Sequence, residues 1–171
     1  MLSPGLLLEG GYFRMEYRDF VNIIEINQIN LSSLLAHKNE EFTSDQKDIS
    51  VAMNYEEKKH DVKCGQFHVQ FGLDVIALSA KIDIKESEIL SLEDIDDNEI
   101  LFRIEAVFDL SYNFKDIKNT DEFVKKNKQH VDTFCKKNVP INAWPYLREI
   151  IHSITVRMGL PQLTIPAFKR V

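Results

Sequence analysis

The segment EILFRIEAVFDLSYNF, residues 99–114, decides the fold class of this chain. Its even positions are all apolar or aromatic: Ile100, Phe102, Ile104, Ala106, Phe108, Leu110, Tyr112 and Phe114. Its odd positions are mostly polar or charged, with Leu101 and Val107 as exceptions. Because successive side chains of a strand point to opposite faces, this pattern predicts one buried, apolar face and one solvent-exposed, polar face (the dry and the wet face). Such strands are typical of an antiparallel sheet that is covered on one side.

A first strand is predicted near the N-terminus, over residues 20–35. Apolar side chains alternate at Ile24 and Ile26 and, after a slip, at Ile29 and Leu31. Alternation that slips and then resumes indicates a strand with a kink.

Two further strands are predicted between these segments. Residues 49–56 alternate regularly, which predicts a half-buried strand. The run 65–85 is the longest, and its apolar parity changes between Val75 and Ile76. A flat strand of that length would reach roughly 60 Å, which is more than a small domain can use. We therefore predict a β-bulge at Val75 and Ile76, where the inward face switches.

Two polar segments are predicted to connect the strands. Residues 37–48 are polar and lack periodicity. Residues 85–99 are rich in Asp and Glu, a composition that calcium loops also use. They lack the glycine and the alternating carboxylate spacing that an EF-hand loop requires. We therefore predict a solvated hairpin loop at residues 85–99.

Two helices are predicted after the last strand. The first runs from Thr120, whose hydroxyl can cap it, to Asn138, before a Val-Pro pair. The second starts at Pro145, because a proline at the first helical position loses no hydrogen bond. It stops at Gly159, since glycine readily adopts the left-handed conformation of a helix end. Residues 160–168 are then predicted to form a short terminal strand, which lies at an edge of the sheet because Pro166 cannot donate to a ladder.

Four strands followed by helices predict an α+β domain: a four-stranded antiparallel sheet covered on one face by C-terminal helices. We assign residues 1–20 to an N-terminal arm and residues 21–171 to a single domain. The dry sheet face is large for two modest helices. Either the arm or another subunit covers the remainder, and we favour the subunit because such patches commonly mark association surfaces.

The composition argues against several classes of protein. The chain has 171 residues and a formal net charge of −6, which argues against a general nucleic-acid binder. Its two cysteines, Cys64 and Cys135, are too few for a disulfide framework and indicate a reducing, cytoplasmic compartment. No apolar run is long enough to span a membrane, so membrane insertion is not expected.

The sequence shows no reaction centre. No nucleophile stands in a recognisable relation to a base, and no glycine-rich phosphate loop follows a strand. His60, Asp61 and Cys64 form a close trio and His130 lies near Cys135, but neither group has the spacing of a known zinc motif. A zinc site would require the two groups to converge. We predict no catalytic residue, no metal and no cofactor, and therefore a protein that is not an enzyme.

The C-terminal residues resemble the SecB export-chaperone family. That family has an aromatic residue or leucine before Pro-Tyr, then an Arg-Glu pair, a Ser, an Arg and a Pro-x-Leu-x-hydrophobic-x-Pro tail. The matching residues here are Trp144, Pro145, Tyr146, Arg148, Glu149, Ser153, Arg157, Pro161, Leu163, Ile165 and Pro166. The strand at residues 101–112 is similar to the family's strand before its first long helix, in pattern only. Upstream of residue 99 the similarity is limited to order and spacing.

The resemblance implies a four-stranded antiparallel sheet backed by helices, which pairs into dimers and then into a dimer-of-dimers tetramer. It also implies ATP-independent holding of unfolded clients in long apolar grooves. Members that serve protein export continue into a further helix and an acidic tail, whereas this chain stops at Val171. Arg103 stands where the family has an acidic residue that contacts the motor SecA. SecB-like proteins also serve as dedicated chaperones of antitoxins in toxin–antitoxin modules, so export and antitoxin clients both remain open.

Strand parity and the resemblance suggest candidate site residues. Client contact is predicted for Phe67, Phe71, Phe102, Phe108, Trp144 and Tyr146. The alternative for the four phenylalanines is an ordinary place in the core. Arg148 and Glu149 are adjacent on a helix and point in different directions, so they cannot pair comfortably with each other. We predict that these two residues and His152 contact a two-fold related copy of the chain.

Two other functions remain open on the sequence alone. One is an adaptor or structural protein whose apolar surface binds a single fixed partner. The other is a small-molecule enzyme on a cystatin-like or hot-dog-like sheet, which would need a closed pocket holding a carboxylate against a helix N-terminus. A holding chaperone should bind several unrelated unfolded proteins, whereas an adaptor should bind one.

Overall fold

The computed structural model describes residues 15–40, 42, 49–79 and 100–168. Its elements in chain order are α1 (Tyr17–Asn22), β1 (Ile24–Lys38), β2 (Ile49–Lys63), β3 (Gln66–Ser79), β4 (Ile100–Phe114), α2 (Thr120–Lys126), α3 (Lys128–Lys137) and α4 (Val139–Arg157). The four strands form one antiparallel sheet in the order β1-β4-β3-β2. Helices α3 and α4 pack with the sheet around one main core. The predicted α+β fold is confirmed.

Strand β4 lies inside the sheet and supplies the centre of the core. From Phe102 to Phe114 its even positions are buried on the side that carries the helices. Ile100 departs from the predicted pattern. An extra residue in β4, Leu101, shifts the register against β3, and Ile100 joins a small separate cluster with Ile76 and Leu78.

The β-bulge predicted at Val75 and Ile76 is not found. The pairing of β2 with β3 runs without a shift through both residues. Val75 belongs to the main core, whereas Ile76 belongs to the small cluster, and both are fully buried. Two adjacent apolar residues need no change of face where both faces of a sheet are dry.

The hairpin between β2 and β3 extends β2 to Lys63, beyond the predicted end at residue 56. Cys64 and Gly65 form its two-residue turn and both have positive φ angles, 51° and 78°. Positive φ at both central residues is typical of the turn whose twist suits a hairpin. Thr120 does not cap α2 as predicted, because its hydroxyl donates to the Gly65 carbonyl oxygen at 2.6 Å. The side chain of Asn119 caps α2 instead, accepting from the backbone N–H of Glu122 at 3.2 Å.

Helix α1 precedes β1 and crosses the predicted boundary between arm and domain. Its Phe20 is fully buried, with ring centroids 5.9 Å from those of Phe114 and Phe123 and 6.3 Å from that of Phe134. Residue 20 is therefore helical and part of the core. The kink predicted in the first strand is confirmed, since the register shifts after Ile26 and again further along β1.

The helical region begins at Thr120 and ends at Gly159 as predicted, but it differs from prediction between these two residues. The predicted first helix is divided into α2 and α3 at Asn127. The second helix begins at Val139, so Pro140 occupies the first turn and Pro145 lies inside the helix. Gly159 ends it as predicted, with a φ of 71°. The N–H of Leu160 donates to the carbonyl of the residue five positions earlier at 3.0 Å, which is the pattern of a Schellman cap.

The edge strand predicted for residues 160–168 is wrong, since these residues form no ladder. Their polar backbone groups bond to helix α4 instead of to the sheet. The indole N–H of Trp144 donates to the Pro166 carbonyl at 2.7 Å, and the N–H of Leu163 donates to the Thr155 hydroxyl oxygen at 3.2 Å. Ile165 is buried beneath this segment. The predicted acidic loop, residues 85–99, lies outside the described residues.

Replacing Phe20 with Ala should lower the free energy of unfolding by about 3–5 kcal/mol, because it leaves a cavity among three aromatic rings. Denaturant unfolding followed by circular dichroism measures the change. Arg18→Ala on the same helix is the control, since the Arg18 side chain is almost fully exposed, and it should change stability by less than about 0.5 kcal/mol. Equal stability of both variants would contradict the assignment of α1 to the core.

Candidate functional site

The helices leave part of each edge strand of the sheet exposed. Helix α4 contacts the central strands β3 and β4. The exposed large apolar side chains of the described sheet residues lie on the edge strands β1 and β2, and not on the two central strands. Two separate apolar surfaces result, one at each edge.

The first surface lies on β1, on the same side of the sheet as the helices. Ile26, Leu31 and Leu34 pair with Tyr112, Phe108 and Ala106, whose side chains face the core. Directly paired residues share a face. The three β1 side chains therefore extend the dry face of β4, yet they are 37–47% exposed.

Two irregularities keep these side chains on one face. Asn27 and Ser32 are the extra residues at the two register shifts of β1. Without them the apolar positions would fall on both faces, because a slip of one residue reverses every side chain. Each extra residue bonds to a polar position of β4: the Asn27 amide donates to the Ser111 hydroxyl oxygen at 3.2 Å, and the Ser32 hydroxyl donates to Asp109 at 2.8 Å.

Tyr146 borders the same surface from helix α4. Its ring is about half exposed and lies 6.4 Å, centroid to centroid, from that of Phe108, the residue paired with Leu31. We call the group Ile26, Leu31, Leu34 and Tyr146 the β1 surface. It is an apolar face bordered by an unpaired strand edge, which is a ready template for association with another chain.

The second surface lies on the first half of β2. Val51 and Tyr55 are 40% and 43% exposed. The Tyr55 ring packs against Trp144 at 5.6 Å, Phe71 at 6.0 Å and Phe168 at 5.7 Å. We call Val51 and Tyr55 the β2 surface.

The second half of β2 has the opposite character. Its exposed side chains are charged, and Lys58 pairs with Glu56 while Lys63 lies 3.0 Å from Asp61. The register against β3 also shifts between Glu57 and Lys59. Charges and bulges are the means by which proteins protect an edge strand from pairing. Only the first half of β2 is therefore suited to accept an extended chain.

The candidate groove phenylalanines are not on a surface. Phe67, Phe71, Phe102 and Phe108 are each at most 4% exposed. The parity that suggested a groove is instead the parity that faces the helices, so these residues lie in the core of this chain. Trp144 is also buried and holds the C-terminal segment. Of the six predicted client residues, Tyr146 alone is exposed.

The three predicted interface residues come together on the outer face of α4. An open groove of about 710 Å³ is lined by Arg148, Glu149, His152, Ser153, Val156, Arg157, Gln162 and Thr164. The helical residues form one stripe because they recur at three- and four-residue intervals. Gln162 and Thr164 form a wall of this groove because residues 160–168 bond to α4 and do not form the predicted edge strand.

Arg103 is neutralised by its neighbours on the sheet face away from the helices. Its guanidinium lies 2.7 Å from Asp74 on β3 and 2.7 Å from Glu105 on the same strand. The residue therefore presents a mixed-charge cluster where the SecB resemblance implies an acidic contact. None of the described helices is both long and apolar enough to cross a membrane.

No protein-family model and no curated protein matches the chain. Among solved structures it is similar to Rv1957, a SecB-like chaperone from Mycobacterium tuberculosis in complex with a ChAD peptide from the Rv1956 HigA1 antitoxin. The match has 14% sequence identity and a TM-score of 0.67, and it covers 89% of this chain and 95% of that one. A protein of unknown function from Streptococcus agalactiae matches with a TM-score of 0.33 at 10% identity, over 84% of this chain and 96% of that one, and supports no inference.

The fold of this chain is therefore that of SecB-like chaperones. This confirms the fold implied by the C-terminal motif, although the similar structure shares few residues. The apolar positions of β1 and β2 were visible in the sequence as strand alternation. Which strands would stay uncovered depends on where the helices pack, and strand alternation does not give that.

Replacing Trp144 with Phe should release the C-terminal segment, because it removes the N–H that donates to Pro166 and leaves the carbonyl without it. We expect faster hydrogen exchange across residues 160–168 and a loss of about 1 kcal/mol in unfolding free energy. Hydrogen exchange with mass spectrometry measures the first effect. Tyr146→Phe, the neighbouring exposed change, should leave the segment protected. Unchanged protection in both variants would exclude this anchoring role.

Proposed function

We propose that this protein is a SecB-type chaperone that holds a non-native polypeptide along the first half of β2. The observation that carries the proposal is the open β2 surface, a strand edge with Val51 and Tyr55 exposed beside it. An extended client can add a strand to such an edge through backbone hydrogen bonds, while apolar pockets take alternate side chains. Backbone pairing is independent of sequence, and no nucleotide is needed for it.

The free energy expected for client binding at the β2 surface is compatible with reversible binding. A client that removes about 300 Å² of apolar surface from water gains roughly 7 kcal/mol at about 25 cal/mol per Å². The loss of translational and conformational freedom offsets part of that gain. The net affinity is therefore moderate, which allows a client to be released for folding. The peptide complex of the similar mycobacterial structure supports peptide binding on this fold.

A dedicated client such as an antitoxin fits the charges of the sheet better than general export. Arg103 is engaged by Asp74 and Glu105, so this position offers no free acidic contact for SecA. The similar structure likewise holds an antitoxin peptide. Both cysteines are free, one exposed at a turn and one buried in α3, which supports a reducing cytoplasmic setting.

Self-association is the proposed role of the β1 surface. A two-fold copy would supply a strand to pair with β1 and a helical layer to cover Ile26, Leu31 and Leu34. The groove on α4 is self-complementary in charge, because it holds Arg148 and Arg157 together with Glu149. We propose that these contacts build a dimer and that pairs of dimers form a tetramer.

Introducing a charge at the β2 surface should weaken client binding. Val51→Lys should raise the dissociation constant for an unfolded client about tenfold or more, because a client would have to bury the ammonium group. Asn54→Lys is the matched control: it adds the same charge to the same strand on the opposite face and should leave affinity unchanged. Light scattering of several unrelated unfolded proteins, with and without ATP, measures the protection. Protection of a single protein only would favour the adaptor.

Introducing a charge at the β1 surface should lower the mass of the oligomer. Leu31→Lys places an ammonium group in the proposed interface, whereas Leu35→Lys, at an exposed position that pairs with Glu105 on the other face, should not disturb it. Glu149→Arg should act like Leu31→Lys, because it brings like charges together in the α4 groove. Sedimentation velocity gives the mass. An unchanged mass in either Leu31→Lys or Glu149→Arg would remove that surface from the interface.

A further inference from the structure

Three potential metal ligands converge where helix α3 crosses strand β2. A carboxylate oxygen of Glu57, Nδ1 of His60 and Sγ of Cys135 all lie within 4.8 Å of one another. Sγ of Cys135 is 4.0 Å from Nδ1 of His60, and the Glu57 carboxylate contacts the same nitrogen. His60 and Cys135 belong to the two sequence groups whose convergence a zinc site would require. The fold supplies that convergence and adds Glu57.

A β-bulge aims the two strand ligands at the helix. Glu57 pairs with Phe71 and His60 pairs with Val69, and both partners face the core. In a regular strand, residues three apart would point to opposite faces. The register shift after Glu57 leaves Lys58 as the extra residue and brings Glu57 and His60 to the same face. Bulges that re-aim side chains are over-represented beside functional sites.

The surroundings of the cluster combine a buried thiol with a partly open mouth. Cys135 is 1% exposed, whereas the side chains of Glu57 and His60 keep 23% and 29% of their surface. The imidazole ring packs on Phe67 with centroids 5.6 Å apart. Burial, followed by the nearby Glu57 carboxylate, raises the pKa of the Cys135 thiol.

We infer that Glu57, His60 and Cys135 form a binding site for a thiophilic divalent cation of the zinc type. Zinc accepts this set of donors, with distances of about 2.3 Å to sulfur and about 2.0–2.2 Å to nitrogen and oxygen. In a tetrahedral site the sulfur and nitrogen would be about 3.6 Å apart. The observed separation of 4.0 Å therefore closes by a small movement of side chains.

The charge balance favours the same cation. A divalent ion with one thiolate, one carboxylate and one neutral imidazole has no net charge, which suits a partly buried place. Binding replaces the thiol proton, which leaves to water, and a water molecule takes the fourth position on the open side. The site would fasten α3 to β2 and is separate from the proposed client and oligomer surfaces.

The alternative is a metal-free network in which the Glu57 carboxylate accepts hydrogen bonds from both the imidazole and the thiol. Absorption spectra recorded with Co²⁺ distinguish the metal site from the metal-free network, because a thiolate bound to Co²⁺ gives a charge-transfer band in the near ultraviolet. The full chain, stripped with a chelator, is titrated with Co²⁺ and then with Zn²⁺. We expect one equivalent per chain, the thiolate band, its loss on zinc addition, release of the thiol proton and a higher melting temperature.

Substitution of each proposed ligand tests whether Co²⁺ binding and the thiolate band come from this site. Cys135→Ser should remove the band, and His60→Gln and Glu57→Gln should weaken Co²⁺ binding at least about tenfold. The latter two side chains are partly exposed, so these variants test the site even if Cys135→Ser does not fold. Cys64→Ser, which removes the other thiol, should keep the band and the affinity. No stoichiometric binding, or binding that survives both His60→Gln and Glu57→Gln, overturns the assignment.

Discussion

The dry face of the sheet is wider than the layer of helices that covers it, and the rest of the structure depends on this mismatch. Strand β4 places one aromatic or aliphatic side chain after another on that face, and β3 does the same beside it. Helix α4 lies over these two strands. Ile26, Leu31 and Leu34 on β1 and Val51 and Tyr55 on β2 extend the apolar face beyond this layer and stay partly exposed at the two edges of the sheet.

The two edge strands, β1 and β2, differ in how their exposed side chains are arranged. Strand β1 uses Asn27 and Ser32 to hold Ile26, Leu31 and Leu34 on one face, whereas Leu35 lies on the other face. Strand β2 is apolar at its start, but its second half carries charged side chains and a bulge. The same irregularity that blocks pairing there also turns Glu57 and His60 toward Cys135. The extra residue Lys58 lies between Glu57 and His60 and follows the apolar first half of β2.

The features that could be predicted from the sequence are those determined by backbone geometry within a few residues. Alternation in β4 gave the buried face, and Gly159 gave the end of α4, because each depends on backbone geometry within a few residues. Features set by tertiary packing were missed. Pro145 resembles a helix start, yet Pro140 takes that place and α4 continues through Pro145. The four phenylalanines could not be assigned to core or groove, since both give the same parity. Glu57 was overlooked because its face depends on a bulge that no residue pattern announces.

The anchoring of the C-terminal segment has a consequence for observing this molecule. Trp144 is the single tryptophan of the chain, and its indole is sealed between the Tyr55 and Phe168 rings, next to the β2 edge. Its ultraviolet emission therefore comes from one known place and is sensitive to the polarity there. A change in the contacts of the indole, such as departure of residues 160–168 from it, should shift the wavelength of this emission. The chain thus contains an intrinsic fluorescent reporter of the contacts around Trp144, and no dye needs to be attached.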